Sequence, residues 1–259
     1  MNSIIHNAPR GIAVPRDVAR PSASLPDPLN VAPVSRARMC ERVPLECCGG
    51  LQNVDLSKVK TEALVGDFLR HVDLQDSSFC IAVAAIAFNP LFWNTMARWE
   101  HRTRRLSRLV GSPSLACYCL GFVIILLDVY RSHSVTVAIK TQARWEAMDR
   151  TAVFCCGVAL LGLGTTLVVS SFLALGFTGT FLGDYFGILM DEKVTGFPFN
   201  IMENPMYWGS TANYLGLALI GSSPVGLVLT AIVGVAYKLA IMFEGPFTQK
   251  IYQERRKQE

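Results

Sequence analysis

Four stretches of this chain contain no Asp, Glu, Lys or Arg: Ser77–Ala97, Leu109–Leu127, Thr151–Gly183 and Asn204–Tyr237, of 21, 19, 33 and 34 residues. A helix needs roughly 20 mostly apolar residues to cross a hydrocarbon core. Lipid admits only segments that satisfy their own backbone hydrogen bonds, so runs of this length imply membrane helices. Composition agrees, with 51% of the 259 residues hydrophobic and 17% charged, against about 25% charged in a soluble domain. The predicted fold is all-α: a polytopic membrane helical bundle of three to four segments, at about 77–97, 109–130, 153–178 and 221–242. Asn89-Pro90 interrupts the first. Proline removes a ladder hydrogen bond, so that segment either crosses or re-enters on the side it came from.

Residues 1–72 read as an N-terminal extension and 73–259 as the membrane domain. Seven of the thirteen prolines lie at or before Pro44, and five arginines precede Met39. No helical or strand period survives that density, so the extension is expected to be largely disordered and dispensable. It has no continuous apolar stretch of the kind a secretory signal needs. A short surface helix is expected between Asp55 and Gln75. The net charge of +4 comes without a basic stripe interleaved with aromatics, so nucleic acid is not an expected partner. The eight cysteines show neither zinc spacing nor a disulfide framework. No metal is expected, and the five cysteines within apolar runs read as small buried packers.

Lys and Arg near the spans set the orientation. With four spans, the 131–150 loop and the C-terminal tail share a face and carry eight basic residues, against six opposite. The bias places both in the cytosol.

Three motifs stand out. Gly162-Leu163-Gly164 puts two glycines inside a span, where each costs about 1 kcal/mol against alanine; close helix packing or a ligand against bare backbone would justify them. Gly179, Gly183 and Gly187 share a helical face at a spacing of four and read as packing residues. NIMENPMYWGSTANYLG crowds Glu203, Pro205, Tyr207, Trp208, Asn213 and Tyr214 into the mouth of a span. Pro205 suits a first helical turn, and the aromatic faces would attract a cation. Glu244, in MFEGPF at the end of the last span, by itself reads as a solvated cap.

The strings FNPLFWNTMARWEHRTRRLSR, LGLGTTLVVSSFLALGFTGTFLGDYFGILMDEKVTGFPFNIMENPMYWGSTANYLG and FEGPFTQKIYQ closely resemble the phosphatidylethanolamine N-methyltransferases of vertebrates, from about Asp73 to Tyr252. The first 70 or so residues resemble an optional extension of a long form. The resemblance implies an integral protein of the endoplasmic reticulum and its mitochondria-associated membranes. It would transfer methyl groups from S-adenosylmethionine to the amine of phosphatidylethanolamine and then to its mono- and dimethyl derivatives, giving phosphatidylcholine. The family's donor site implies cofactor-binding roles for Gly162, Leu163 and Gly164, and for Glu244 and Gly245. Gly245 stands where the family pattern has a second acid, so only its backbone is available there. The attacking amine must be neutral, and Glu203 ranks ahead of His101 as the group to take its proton, with water as an alternative. Glu203 then falls on the face opposite Glu244, unless the segment folds back into the bundle. Two other readings stay open: a membrane methyltransferase for another substrate, such as isoprenylcysteine carboxylate, and a non-enzymatic lipid carrier or assembly protein.

Overall fold

The computed structural model describes residues 61–191 and 194–257. The extension to residue 60, and the disorder expected of it, lie outside the described residues. Among these residues all regular structure is helical: α1 (Thr61–Arg70), α2 (Ser77–Thr103), α3 (Arg105–Val110), α4 (Pro113–Thr141), α5 (Thr151–Thr180), α6 (Pro205–Ile220) and α7 (Pro224–Arg256), with short 3-10 turns at Glu146–Met148 and Gly183–Phe186. Among the described residues, four segments are long and apolar enough to cross a membrane: Ser77–Thr103, Pro113–Thr141, Thr151–Phe186 and Pro224–Glu254. Phe122, Val129, Leu173 and Val235 stay exposed on their outer faces. In water such a belt would cost about 25 cal/mol per Å², but lipid removes that cost. Cys80, Cys119, Cys155 and Cys156 belong to the same outer surface, and only Cys117 is a buried packer.

The surface helix expected before the first span is α1, pinned where Trp145 Nε1 donates to Asp67 Oδ2 at 2.7 Å. Asp76 caps α2, accepting from the Ser78 and Phe79 amides. The Ser78 hydroxyl, with those amides, holds the Asp76 carboxyl below the usual carboxylate value. Pro90 does not turn the chain back. α2 runs through it as one helix of 27 residues, about 40 Å long, and so crosses rather than re-enters. Asn89, 1% exposed, is not a break but a bridge to α4: its Nδ2 donates to Asp128 Oδ1 at 2.9 Å. At the far end the fully buried Glu100 accepts from the Leu106 amide at 2.7 Å and the Ser107 amide at 3.2 Å, turning the chain into α3.

α4 continues past residue 130 to Thr141, which places Asp128 and Arg131 inside a membrane helix. The larger correction concerns Asn204–Tyr237. This uncharged run holds two helices, α6 and the start of α7, separated by a turn at Gly221–Ser223. The 16 residues of α6 span only about 24 Å, but they carry the chain back along α5. Gly157 meets Gly216 and Gly164 meets Gly209, in antiparallel register. A Cβ on Gly157 would lie 2.9 Å from the Gly216 carbonyl oxygen, and one on Gly209 would lie 2.8 Å from that of Gly164. Small residues admit such approach, which is how helices associate in lipid.

Because α6 reverses the chain, the C-terminus and the 142–150 loop lie at opposite ends of the bundle. At one end Trp145 N donates to Ser222 O at 2.9 Å, and Asp73 exchanges hydrogen bonds with Gln142. At the other, Arg104 Nη1 donates to Phe186 O at 2.6 Å and Met190 N to Tyr252 Oη at 3.1 Å. The shared face expected for the loop and the tail is therefore not what the chain builds. Nor do Gly179, Gly183 and Gly187 share a helical face: α5 ends at Thr180, Gly183 opens a 3-10 turn, and Gly187 closes it at φ 84°.

Candidate active site

Where α2, α4, α5, α6 and α7 converge they enclose a cavity of about 450 Å³, and Trp93, Asp128, Asp184, Tyr207, Tyr237, Glu244 and Tyr252 are among its walls. Pockets of about 300–1,000 Å³ hold small ligands. Three carboxylates against one arginine, Arg131, together with five aromatic rings, make this one suited to a cation.

Glu244, on α7, is held by three donors from two other helices. Trp93 Nε1 and Asn94 Nδ2 of α2 donate to Oε1 at 2.7 and 2.8 Å, and Tyr207 Oη of α6 donates to Oε2 at 2.6 Å. A carboxylate away from bulk water needs such partners, and hydrogen bonds to a charged acceptor are the stronger kind. The local sequence explains how Tyr207 arrives. Asn204 adopts φ 55°, Pro205 starts α6, and the Gly164–Gly209 contact seats that helix on α5. The α6 N-terminus is thereby turned into the bundle toward Glu244.

A second polar cluster lies deeper. Arg131 Nη2 meets Asp128 Oδ1 at 3.2 Å, and Arg131 Nε donates to Tyr214 Oη at 3.2 Å. The guanidinium lies over the Tyr214 and Tyr237 rings, 5.7 and 5.3 Å from their centroids. Tyr237 in turn packs on Tyr207, ring centroids 4.9 Å apart, so the two clusters are continuous. Near Glu244, the Thr248 hydroxyl donates to Asp184 Oδ2 at 2.8 Å.

Of the residues singled out in the sequence, Glu244 lines the cavity. Gly245 is helical and a Cβ there would meet open space, so no glycine-specific backbone conformation is required. Gly162 and Leu163 are exposed on α5 away from the cavity, and Gly164 is pressed against α6. Their helix still contributes Val168 and Leu175 to the wall. Glu203 is exposed and does not line the cavity, which separates it from any amine bound inside. His101 packs edge-on to Phe247 with Nδ1 buried and unpartnered. Trp208 points outward, whereas Tyr207 and Tyr214 point into the bundle. Sequence reasoning missed Trp93, Asn94, Asp128 and Arg131. The last two carried a usable signal, a charged pair three residues apart at the edge of an apolar run.

The fold and cavity define a polytopic membrane protein with a polar, cation-suited site inside its helical bundle. A family profile described as phospholipid methyltransferase matches residues 152–255. The chain is 58% identical to human phosphatidylethanolamine N-methyltransferase over 187 residues, covering 72% of this chain and 94% of the human protein. It is 57% identical to the rat protein of the same name over 187 residues, with the same coverage. It is 44% identical to phosphatidyl-N-methylethanolamine N-methyltransferase of Saccharomyces cerevisiae over 200 residues, 77% of this chain and 97% of the yeast protein. No solved structure matches. The chain belongs to the phospholipid methyltransferase family and is a methyltransferase. The resemblance drawn from its sequence holds, and the non-enzymatic carrier reading is not favoured.

Proposed function

We propose that this chain methylates the amine of phosphatidylethanolamine three times in sequence, giving phosphatidylcholine, with S-adenosylmethionine as methyl donor. The observation that carries this reading is the Glu244 carboxylate, held by Trp93, Asn94 and Tyr207 at the wall of a cavity formed by membrane helices. The residues present fit such a donor. It is a cation with a flat base, and the cavity offers it carboxylates at Glu244 and Asp184 and the rings of Trp93, Tyr207 and Tyr252. When bound, the donor supplies a methyl group whose bond to sulfur breaks as a bond to nitrogen forms, sulfur keeping the electron pair. Glu244 would hold the donor's polar groups, and Tyr207 orients that carboxylate. Of Gly162-Leu163-Gly164, Gly164 acts through α6: the Gly164–Gly209 contact sets the position of Tyr207.

The protein resides in the endoplasmic reticulum membrane and its mitochondria-associated regions, with a cytosolic C-terminus. Regrouping the charges by the observed helix order supports that orientation. Arg98, Arg102, Arg104, Arg105 and Arg108 join Lys250, Arg255, Arg256 and Lys257 at the C-terminal end of the bundle, against Arg70, Lys140, Arg144 and Arg150 at the other. Among the described residues, nine against four is a clear positive-inside bias, and it puts the Glu244 end where a soluble donor is available.

The test is a substrate panel. The full chain in lipid nanodiscs receives labelled donor with phosphatidylethanolamine, its monomethyl and dimethyl derivatives, or an isoprenylcysteine peptide. Label in all three methylated lipids, with none in the peptide, is expected. Label in the peptide alone would overturn the reading.

A further inference from the structure

Charges inside a membrane helix are costly, and they are kept where they serve a ligand, an ion or a proton. Asp128 and Arg131 lie within α4, and the protein treats them differently. Arg131 is 5% exposed and fully engaged by Asp128, the Tyr214 hydroxyl and two aromatic rings. Asp128 is fixed by one oxygen only. The Asn89 amide and the Arg131 guanidinium both meet Oδ1, while the side chain lines the cavity and stays 38% exposed. Asn89 and Arg131 thus hold the carboxylate through Oδ1, and among the described residues no hydrogen bond to Oδ2 competes for it. The second polar site in the same cavity, Glu244, already accepts three hydrogen bonds. Along α7 it lies two turns from Tyr237, about 10 Å, and Tyr237 packs against Arg131.

We propose that Asp128 receives the ammonium group of the lipid substrate and takes the proton that must leave before each methyl transfer. This rests on the amine-methylating function proposed above. A primary ammonium donates an N–H to Oδ2. The proton moves to the carboxylate, and the electron pair of the broken N–H bond becomes the lone pair that bonds the incoming methyl carbon. The product is a secondary ammonium with one N–H fewer, and Asp128 returns its proton to water before the next round. After the third transfer the nitrogen has no N–H. It keeps its charge but can neither hydrogen-bond Oδ2 nor lose a proton, so the series ends and the product is released. The other charged or titratable groups near Asp128 are Arg131 on its own helix, Tyr214 on α6 and Tyr237 on α7, with Glu244 and Asp184 further along the cavity wall. Asn89 from α2 is neutral.

Asp128→Asn keeps the shape and the Asn89 contact while removing the base. Full-length wild type, Asp128→Asn and Asp128→Glu are compared in nanodiscs for donor binding by equilibrium dialysis and for lipid methylation from pH 6.5 to 9.5. The expected result is donor binding within threefold of wild type in both variants, and methylation by Asp128→Asn reduced on the order of 100- to 10,000-fold. Its residual rate should climb about tenfold per pH unit, because only amine already neutral in solution can react, a fraction that grows until the pH nears an alkylamine pKa of about 10. Asp128→Glu should recover at least part of the rate with a flatter profile. Wild-type rate and profile in Asp128→Asn would overturn the proposal. So would equal loss of donor binding and activity in both variants, which marks a purely structural ion pair. A wild-type protein that methylates no amine lipid would instead overturn the function on which the proposal rests.

Discussion

Tyr207 and Glu244 are 37 residues apart in sequence, and the phenol donates to the carboxylate at 2.6 Å. Tyr207 is in the first turn of α6 and Glu244 lies past the middle of α7, so α7 must run back toward the level at which α6 began. The contact therefore fixes the chain's topology as well as the composition of the site.

A tag after Glu259 and a tag in the 142–150 loop should report opposite faces of the membrane, the C-terminal one cytosolic. Glycosylation acceptors or protease sites at the two positions check this in microsomes. Both tags on one face would remove α6 as a returning helix.

The four uncharged runs already located each of the four spans among the described residues, because lipid leaves few alternatives to a helix. They did not show that Asn204–Tyr237 folds as two helices, since 34 uncharged residues read equally well as one span with a polar mouth. Ser222-Ser223-Pro224 was the available signal, a turn followed by a proline suited to a helix start. Reading the run as one helix also misplaced the C-terminus relative to the 131–150 loop. At the site, the Asn204–Tyr214 segment was legible from its own crowding of polar and aromatic residues, and Glu244 from family resemblance. Trp93, Asn94 and Asp128 were not, because which face of a membrane helix meets a cavity depends on partners distant in sequence. Glu203 drew attention through its neighbours, yet the αL turn at Asn204 leaves it outside while Tyr207 points in.

The two glycines of Gly162-Leu163-Gly164 should differ sharply. Leucine at 162 enters open space, whereas a Cβ at 164 would lie 2.5 Å from the Gly209 carbonyl oxygen. Gly162→Leu should keep donor binding and activity. Gly164→Leu should lose both, or fail to fold, through displacement of α6, with a cost of about 1–3 kcal/mol or more from overpacking. Thermal unfolding with and without donor measures both effects.

Gly245→Ala should be neutral or stabilising by up to about 1 kcal/mol, because the position is helical and its Cβ meets nothing. Donor affinity should be unchanged. A large loss of affinity would mean that the donor lies against the Gly245 backbone itself, closer than a methyl group allows.

Asp76 supplies a pH dependence outside the membrane. Its carboxyl is depressed below 3.8, chiefly by the Ser78 hydroxyl. A depressed acid contributes stability that is fully present above its unfolded pKa and lost as pH falls through the folded one. Wild type should therefore melt above Asp76→Ala at pH 7, and the gap should close only below pH 3.8. A gap that persists unchanged at pH 2.5 would mean that the charged cap is not its source.

The most direct measurement is equilibrium dialysis of S-adenosylmethionine against wild type, Glu244→Gln and Tyr207→Phe, each checked for folding by its thermal transition. If the Glu244 carboxylate holds the donor, Glu244→Gln should weaken binding by about 1–3 kcal/mol, roughly 5- to 150-fold. Tyr207→Phe, which removes one of the three hydrogen bonds that orient the carboxylate, should weaken it by a smaller factor. Unchanged affinity in both variants, with methyl transfer retained, would contradict the assignment of the Glu244 end of the cavity as the donor site.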